Sequence, residues 1–390
     1  MENVADIAGG GTPSTAISEY WDGDIDWYAP AEIAGQIFVN SSQKKITTEG
    51  LNNSSAKMLP VGTVIFTSRA GIGKTAILTK EGCTNQGFQS IIPHKDELDS
   101  YFIFSRTDEL KRYGETIGAG STFVEVSGKQ MANMTISIPA TMVEQRQIGT
   151  YFRNLDNLIA LHQRKYDKLV NIKKSVLEKM FPRDGKIIPD IRFSGFTEDW
   201  EQRKLENVAD IAGGGTPSTA ISEYWDGDID WYAPAEIAGQ IFVNSSQKKI
   251  TTEGLNNSSA KMLPVGTVIF TSRAGIGKTA ILTKEGCTNQ GFQSIIPHKD
   301  ELDSYFIFSR TDELKRYGET IGAGSTFVEV SGKQMANMTI SIPATMVEQR
   351  QIGTYFRNLD NLIALHQCKL KLLKQIKQSM ENGLFIKNTT

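Results

Sequence analysis

The stretch TMVEQRQIGTYFRNLDNLIALHQ occupies residues 141–163 and occurs again, without a mismatch, at residues 345–367. Thr141, followed three residues later by Glu144, forms a capping-box pattern that predicts the start of a helix. Apolar residues then recur at alternating spacings of four and three, as in the seam of a coiled coil. We therefore predict two long helices whose seams contain Ile148, Phe152, Leu155, Ile159 and His162 in the first and Ile352, Phe356, Leu359, Ile363 and His366 in the second.

The heptad pattern continues past the copied residues, to Met180 in the first helix and to Leu384 in the second, with a polar break at Lys173. Amphipathic helices of this length are seldom stable alone, so we predict that the two helices pack against each other. Short connections between helices favour an antiparallel pair, which would relate the two copies by a pseudo-twofold axis. The two seam histidines would then meet near that axis as a polar pair that fixes the register.

The repeat extends beyond the helices, because residues 2–163 recur in full at 206–367. Before each helix, short runs of β-branched and aromatic residues are bounded by Gly, Pro, Asn or Ser, which predicts the strands of a mixed sheet. The predicted fold class is therefore α+β, with two α/β domains joined by two long antiparallel coiled-coil helices. The predicted boundaries are 1–140 and 205–344 for the domains, 141–181 and 345–386 for the helices, and 182–204 for the connector.

Individual elements can also be predicted within each copy. One helix is expected at Asp99–Tyr113. The connector carries apolar residues on both sides of Pro189, which indicates a docked extended segment, and its last part, 197–205, has no counterpart before the first copy. In the first copy, strands are predicted around residues 37–39, 63–66, 75–78, 89–92 and 134–138.

The composition restricts the class of protein. No apolar run approaches the roughly 20 residues of a membrane helix and the N-terminus lacks a signal-peptide pattern, so we expect a cytoplasmic protein with no membrane partner. The net charge of −2 combines two acidic copies with two basic segments, residues 164–205 and 368–390, and it neither supports nor excludes DNA binding. The sequence has no metal-ligand spacing around Cys83, Cys287 or Cys368 and no catalytic motif, so no metal, cofactor or enzymatic activity is predicted.

An ordered series of short motifs resembles the specificity subunit of type I restriction–modification enzymes. Each motif is weak alone, but the ordered set is specific, each motif recurs 204 positions later, and the resemblance extends over nearly the whole chain. The motifs are Gly-Gly-Thr-Pro-Ser at 10–14, Tyr-Trp-x-Gly-x-Ile-x-Trp at 20–27, Leu-Pro-x-Gly-Thr-Val at 59–64, Ser-x-Ala-x-Ile-Gly at 68–73, Thr-Asn-Gln-Gly-Phe at 84–88, Gly-Ser-Thr-Phe at 120–123, Ile-Pro at 138–139 and Glu-Gln-x-x-Ile at 144–148.

The resemblance implies two target-recognition domains that alternate with two antiparallel spacer helices. Such a subunit reads a split site in double-stranded DNA and recruits two methyltransferase subunits, and in some systems two restriction subunits, while catalysis belongs to those partners. Family members usually carry two different recognition domains. Identical domains instead imply an interrupted palindrome as the target. The alternative is a coiled-coil scaffold with two protein-binding heads and no DNA specificity.

Candidate DNA contacts follow from residue chemistry. Residues 68–75 resemble a phosphate loop but lack its first glycine, so a turn that presents basic side chains to DNA phosphates and a purely structural turn both stay open. Amide side chains suit adenine contacts but also suit a structural turn. The candidates are Lys44, Lys45, Arg69, Lys74, Thr75, Asn85, Gln86, Gln89, Ser121 and Thr122, with Lys248, Lys249, Arg273, Lys278, Thr279, Asn289, Gln290, Gln293, Ser325 and Thr326 in the second copy.

Overall fold

The computed structural model describes residues 1–69, 71–119, 125–183, 185–273, 275–322 and 329–386, with side chains as far as Leu384. The chain divides into two compact units. Unit 1 comprises Met1–Arg164 with Gln367–Thr390, and unit 2 comprises Lys165–His366. Each unit therefore contains the domain of one copy together with part of both long helices.

Unit 1 contains two small sheets. In the larger sheet the strands lie in the order Ala5–Gly9, Gln89–Pro93, Val64–Phe66, Thr75–Leu78 and Phe38–Val39, and in the smaller sheet in the order Lys44–Ile46, Trp21–Tyr28 and Cys83–Thr84. The strands are β1 (Ala5–Gly9), β2 (Trp21–Tyr28), β3 (Phe38–Val39), β4 (Lys44–Ile46), β5 (Val64–Phe66), β6 (Thr75–Leu78), β7 (Cys83–Thr84) and β8 (Gln89–Pro93), and the helices are α1 (Thr48–Asn52), α2 (Ser100–Phe104), α3 (Thr107–Gly118), α4 (Gly128–Ala132) and α5 (Met142–Lys179).

The central strand β5 shows why the larger sheet has apolar residues on both faces. Val64 and Phe66 lie in the core cluster that includes α2 and the start of α5, whereas Ile65 lies in a second cluster on the opposite face. All three side chains are fully buried. A continuous apolar run is the pattern expected of a strand that is covered on both sides.

The helix predicted at Asp99–Tyr113 is wrong in one respect, because the structure divides it into α2 and α3. The Asp99 carboxylate accepts hydrogen bonds from two backbone N–H groups at the start of α2. Arg106 leaves the helical conformation, is buried, and donates through its guanidinium to the Ser137 carbonyl and to Glu109. Helical periodicity alone does not reveal this break, since its cause is a contact with a distant segment.

Unit 2 repeats these elements. Its strands are β9 (Glu201–Lys204), β10 (Ala209–Gly213), β11 (Trp225–Tyr232), β12 (Phe242–Val243), β13 (Lys248–Ile250), β14 (Val268–Phe270), β15 (Thr279–Leu282), β16 (Cys287–Thr288), β17 (Gln293–Pro297) and β18 (Thr339–Ile342). Its helices are α6 (Thr252–Asn256), α7 (Ser304–Ser309), α8 (Thr311–Gly322) and α9 (Gly332–Ala336), and α10 (Met346–Glu381) is the second long helix.

One predicted strand forms in only one of the two identical copies. Residues 134–138 were expected to be extended and paired, but the structure assigns them to no strand. Their counterparts in unit 2 form β18, which pairs antiparallel with β9 of the connector. A strand needs a hydrogen-bonding partner, and β9 supplies it in unit 2 only. The prediction is therefore wrong for 134–138 and right for the copied residues.

The two long helices are antiparallel, and the predicted α+β class is confirmed. In unit 1 the Lys377 ammonium lies 2.7 Å from the Asp156 carboxylate, and in unit 2 the Lys173 ammonium lies 2.5 Å from Asp360. Lys173, late in α5, thus pairs with Asp360, early in α10, and Asp156, early in α5, pairs with Lys377, late in α10. This order of pairing is that of antiparallel helices. The polar break at Lys173 is explained by this ion pair. The predicted meeting of the two seam histidines stays a prediction.

Apolar contacts of the seam occur in both units. In unit 1, Ile148, Phe152 and Leu155 belong to one cluster with Leu373, Ile376 and Met380. In unit 2, the copied residues join a cluster with Leu169, Ile172 and Val176. Phe152 and Phe356 are fully buried, and full burial of such a side chain stabilises the fold by roughly 1.5–3 kcal/mol, which exceeds what helix propensity alone would supply. None of the helices in the described part of the chain is long and apolar enough to cross a membrane.

Candidate nucleic-acid interface

The loop between β5 and β6 is a tight turn. Thr67 closes it by accepting a hydrogen bond from the Lys74 N–H and donating one to the Gly71 carbonyl. Gly71 and Gly73 have φ of 79° and 98°, and a Cβ on Gly73 would lie 2.3 Å from the Lys111 side chain. Lys74 is followed by strand β6. A phosphate loop of the nucleotide-binding type requires a helix there, so the structure does not support nucleotide binding by residues 68–75, to which their likeness to a phosphate loop had pointed.

The turn brings three basic side chains to one surface depression. Arg69, Lys74 and Lys111 line it together with Glu115, and it encloses about 400 Å³. Arg69 pairs with Glu125 at 2.9 Å, and Lys111 pairs with Glu115 at 3.9 Å. Both pairs are substantially exposed, so each contributes little to stability. A cation in such a pair can release its carboxylate and bind a phosphate instead with little loss of folding free energy.

Lys111 was not among the residues predicted from the sequence. It lies on α3, next to Arg112, within a stretch that was predicted to be helical. The residues around Lys111 do not indicate that it approaches the turn between β5 and β6, some forty residues earlier in the chain. The signal lies in Gly73, whose missing side chain makes room for Lys111.

Lys44 and Lys45 have different environments. The Lys44 ammonium lies 5.7 Å from the centre of the Trp21 ring. Lys45 instead pairs at 3.1 Å with the buried Asp26 carboxylate, which also pairs with Lys80 at 3.2 Å. Lys45 therefore stabilises the smaller sheet, and Lys44 is the better candidate for a DNA contact.

The carboxylate of Asp26 is held ionised by its neighbours. Burial alone would raise its pKa, but the Ser42 N–H and the ammonium groups of Lys45 and Lys80 lower the pKa to about 2. A lowered folded-state pKa adds stability at pH values above the normal range for aspartate, and this stability is lost as the pH falls towards 2.

We expect Asp26→Asn to destabilise its domain by about 2 kcal/mol at pH 7, since a shift of nearly two pKa units corresponds to that free energy. The variant should also lose part of the pH dependence of stability between pH 4 and 2. Urea unfolding followed by circular dichroism at several pH values measures both effects. Asp24→Asn is the control, because Asp24 is exposed. Equal losses in the two variants would contradict the expectation.

The predicted amide contacts divide into accessible and structural groups. Asn85 accepts a hydrogen bond from the Gly87 N–H at 2.8 Å and so stabilises its own turn. Gln89 is half-buried, and its Oε1 atom has no hydrogen-bond partner among the described atoms. Gln86 is exposed and accepts a hydrogen bond from Thr12. Gln86 is therefore the amide best placed for a base contact.

The predicted contacts through hydroxyl groups fall into two sets. Thr75 is buried, and its hydroxyl lies 2.6 Å from that of Thr107. Thr279 is buried in the same way beside Thr311. We therefore leave both threonines out of the proposed contact set. The other predicted hydroxyl contacts, Ser121, Thr122, Ser325 and Thr326, lie outside the described residues.

The second copy has the same local geometry. Its depression encloses about 390 Å³, and Arg273, Lys278 and Lys315 line it beside Glu319. The remaining counterparts also keep their contacts: Lys248 lies over Trp225, Lys249 pairs with Asp230, Asn289 accepts from Gly291, Gln290 accepts from Thr216, and the Oε1 atom of half-buried Gln293 borders Gly332. The chain thus presents two chemically identical candidate surfaces.

Comparison with known proteins gives consistent matches. The family model described as "Type I restriction modification DNA specificity domain" matches residues 1–171 and 197–377. The specificity subunit of the type I restriction enzyme MjaIX from Methanocaldococcus jannaschii is 36% identical over 194 residues, which cover 48% of this chain and 44% of that subunit. The specificity subunit of the type I restriction enzyme HindI from Haemophilus influenzae is 23% identical over 216 residues, covering 53% and 47%. The chain therefore spans less than half the length of either relative.

One solved structure has a similar fold. The crystal structure of the S subunit of a type I restriction-modification system from M. genitalium superposes with a TM-score of 0.62 at 13% sequence identity. The match covers 98% of this chain and 94% of that subunit. At this identity the likeness concerns the fold and not the identity of individual surface residues.

Proposed function

The chain belongs to the type I restriction modification DNA specificity domain family, and from that premise we propose that it is the DNA-specificity subunit of a type I restriction–modification complex. It would bind a bipartite site in double-stranded DNA and position the subunits that modify or cleave that DNA. Its own role is then recognition, without catalysis. Its place of action would be the cytoplasm, where the DNA of a prokaryotic cell lies.

The observation that carries this proposal is the duplicated basic depression. Arg69, Lys74 and Lys111 can neutralise phosphates of one half-site, and the same three residue types of the second copy can neutralise those of the other. Contacts to phosphates fix the position of a protein on the duplex but do not read its sequence. A local cluster of positive charge also explains how a domain with a net negative charge could bind DNA, which is itself negatively charged.

Base recognition would come from neighbouring side chains. Gln86 and Gln290 carry exposed amides of the type that pairs with adenine, and Lys44 and Lys248 carry the type of donor that pairs with guanine. Because the two copies are identical, each would read the same short sequence. We therefore propose an interrupted palindrome, with two inverted half-sites, as the target.

The partners follow from the family. We propose that two methyltransferase subunits, and in some complexes two restriction subunits, assemble with the chain and supply the chemistry. The non-repeated residues 164–205 and 368–390 have a net positive charge and lie outside the acidic copies. Partners with basic surfaces would add to the affinity for DNA.

Methylome sequencing tests the proposal directly. In cells that carry the chain with its methyltransferase subunit, methylated bases are expected within one interrupted palindrome. An asymmetric methylated motif would overturn the identical-reader proposal. Absence of any motif, together with no salt-sensitive binding of duplex DNA in gel shifts, would favour the scaffold alternative instead.

A further inference from the structure

Each long helix carries an exposed arginine beside the edge strand of the larger sheet in its unit. In unit 1 the Arg153 guanidinium of α5 lies 5.3 Å from the centre of the Phe38 ring on β3. In unit 2 the Arg357 guanidinium of α10 lies 5.3 Å from the centre of the Phe242 ring on β12. Both arginines are exposed, and Phe38 itself is 37% exposed. The two rings therefore hold two cationic groups at the surface.

Neither guanidinium is neutralised by a neighbouring carboxylate. Within the described part of the chain, no carboxylate lies at ion-pair distance from Arg153 or Arg357. Asp156 follows Arg153 by one turn of α5, but it is buried and its carboxylate pairs with the Lys377 ammonium at 2.7 Å. The copied aspartate of unit 2 has the same kind of partner. An arginine that packs on an aromatic ring keeps its fork of N–H donors available, and this fork fits a phosphate.

In unit 1 the arginine lies close to the basic depression. Strand β3 pairs in parallel with β6, with Phe38 opposite Ile77, and β6 begins directly after Lys74. The three residues from Lys74 to Ile77 span about 10 Å of strand. A groove of about 450 Å³ connects the two places, since Gln36, Ile37 and Lys74 all line it. Phosphates of one DNA strand are about 3.4 Å apart along the helix axis, so about three of them span this distance.

The groove itself has groups of both charges. Its charged lining residues besides Lys74 are Lys374, Lys377, Asp108, Asp156 and Glu381. Lys377 pairs with Asp156, and burial raises the pKa of Glu381 to about 7, so that this carboxyl group is partly protonated at neutral pH. The positive and negative groups nearly cancel. We therefore expect Lys74 and Arg153 to hold a DNA backbone more strongly than the groove does.

We propose that Arg153 and Arg357 contact the phosphates next to those held by the two depressions. Phe38 and Phe242 hold the arginines in position for this contact. The proposal rests on the proposed DNA-binding function, and it extends the contact from the domains to the long helices. Because phosphate contacts fix the orientation of a protein on the duplex, each half-site is then aligned with a long helix as well as with a domain.

Removal of the two charges tests the contact. The variant is Arg153→Gln with Arg357→Gln in the full chain, and the probe is a fluorescently labelled duplex of mixed sequence. We expect the affinity to fall about tenfold near 0.1 M salt, and the slope of log K against log salt to fall by about 1.8, since each phosphate contact contributes about 0.9. Lysine at both positions keeps the charge and should retain most of the slope. Fluorescence anisotropy over a range of salt concentrations measures both quantities.

A matched control removes the same charge elsewhere. Lys129→Gln with Lys333→Gln should leave the slope unchanged, because both lysines are exposed and line neither depression. If the unaltered chain binds with a salt-dependent affinity and the arginine variant keeps the same slope, this proposal fails while the proposed function stands. Thermal unfolding that shows a loss of stability together with that unchanged slope would assign the arginines a structural role only. Absence of salt-dependent binding by the unaltered chain would overturn both proposals.

Replacement of the rings tests the positioning role. Phe38→Leu with Phe242→Leu keeps an apolar side chain but removes the ring that attracts the cation. We expect the affinity to fall about twofold to fivefold, as for the loss of an exposed cation–π contact, with the salt slope retained because both arginines keep their charge. Added to Arg153→Gln and Arg357→Gln, the ring replacement should cause no further loss, since the rings act through the arginines. Additive losses would contradict the positioning role.

Discussion

Alanine at the six basic residues of the two depressions is expected to weaken binding of the target duplex by at least about 100-fold near 0.1 M salt. Each phosphate contact releases counterions and contributes about −0.9 to the slope of log K against log salt. The variant replaces Arg69, Lys74 and Lys111 together with Arg273, Lys278 and Lys315. Its salt slope should fall by about 5 if all six side chains contact phosphates. Gel shifts or fluorescence anisotropy over a range of salt concentrations measure both quantities.

The repeat supplies an internal control for this prediction. Replacing the three residues in one copy only should give the same loss as replacing them in the other, because the two surfaces are identical and the half-sites are equivalent. Lys95→Ala with Lys299→Ala serves as a second control, since Lys95 is exposed but does not line the depression. Unchanged affinity and salt slope in the six-residue variant would remove these depressions from the interface.

The long helices and the central strands could be predicted because their signals are local. The capping box at Thr141 and the spacing from Ile148 onwards depend only on neighbouring residues. The same holds for β5, whose short run of apolar residues predicts a strand. Comparison with known proteins confirms the resemblance that the motif series had indicated.

Features that depend on distant contacts could not be predicted in this way. The break at Arg106 exists because its guanidinium reaches Ser137. Lys111 joins the candidate interface because α3 packs beside Gly73. Residues 135–138 have the same sequence as 339–342, yet only the latter form a strand. Because the two segments have the same local sequence but different structures, it is the distant hydrogen-bonding partner that decides whether they form a strand.

Glu348→Gln is expected to destabilise unit 2 by about 3 kcal/mol, whereas Glu144→Gln should change stability by less than about 0.5 kcal/mol. Both residues occupy the same position in identical sequences, but only Glu348 is buried against Arg192. Removing one member of a buried ion pair leaves the other without a counter-charge, which costs roughly 3–5 kcal/mol, whereas an exposed surface residue contributes little. Thermal unfolding of the two variants measures the difference.

Hydrogen exchange shows which part of unit 2 is destabilised by Glu348→Gln. In Glu348→Gln the amides of β9 and β18 should exchange faster, because Arg192 holds the connector against the domain that β9 extends. Arg192→Met should produce a similar loss, and the double variant should be no less stable than either single variant if the two charges act as a pair. Equal stability of Glu348→Gln and Glu144→Gln would mean that the connector is held by its apolar contacts alone. The Arg192 charge would then be unnecessary for docking of the connector in unit 2.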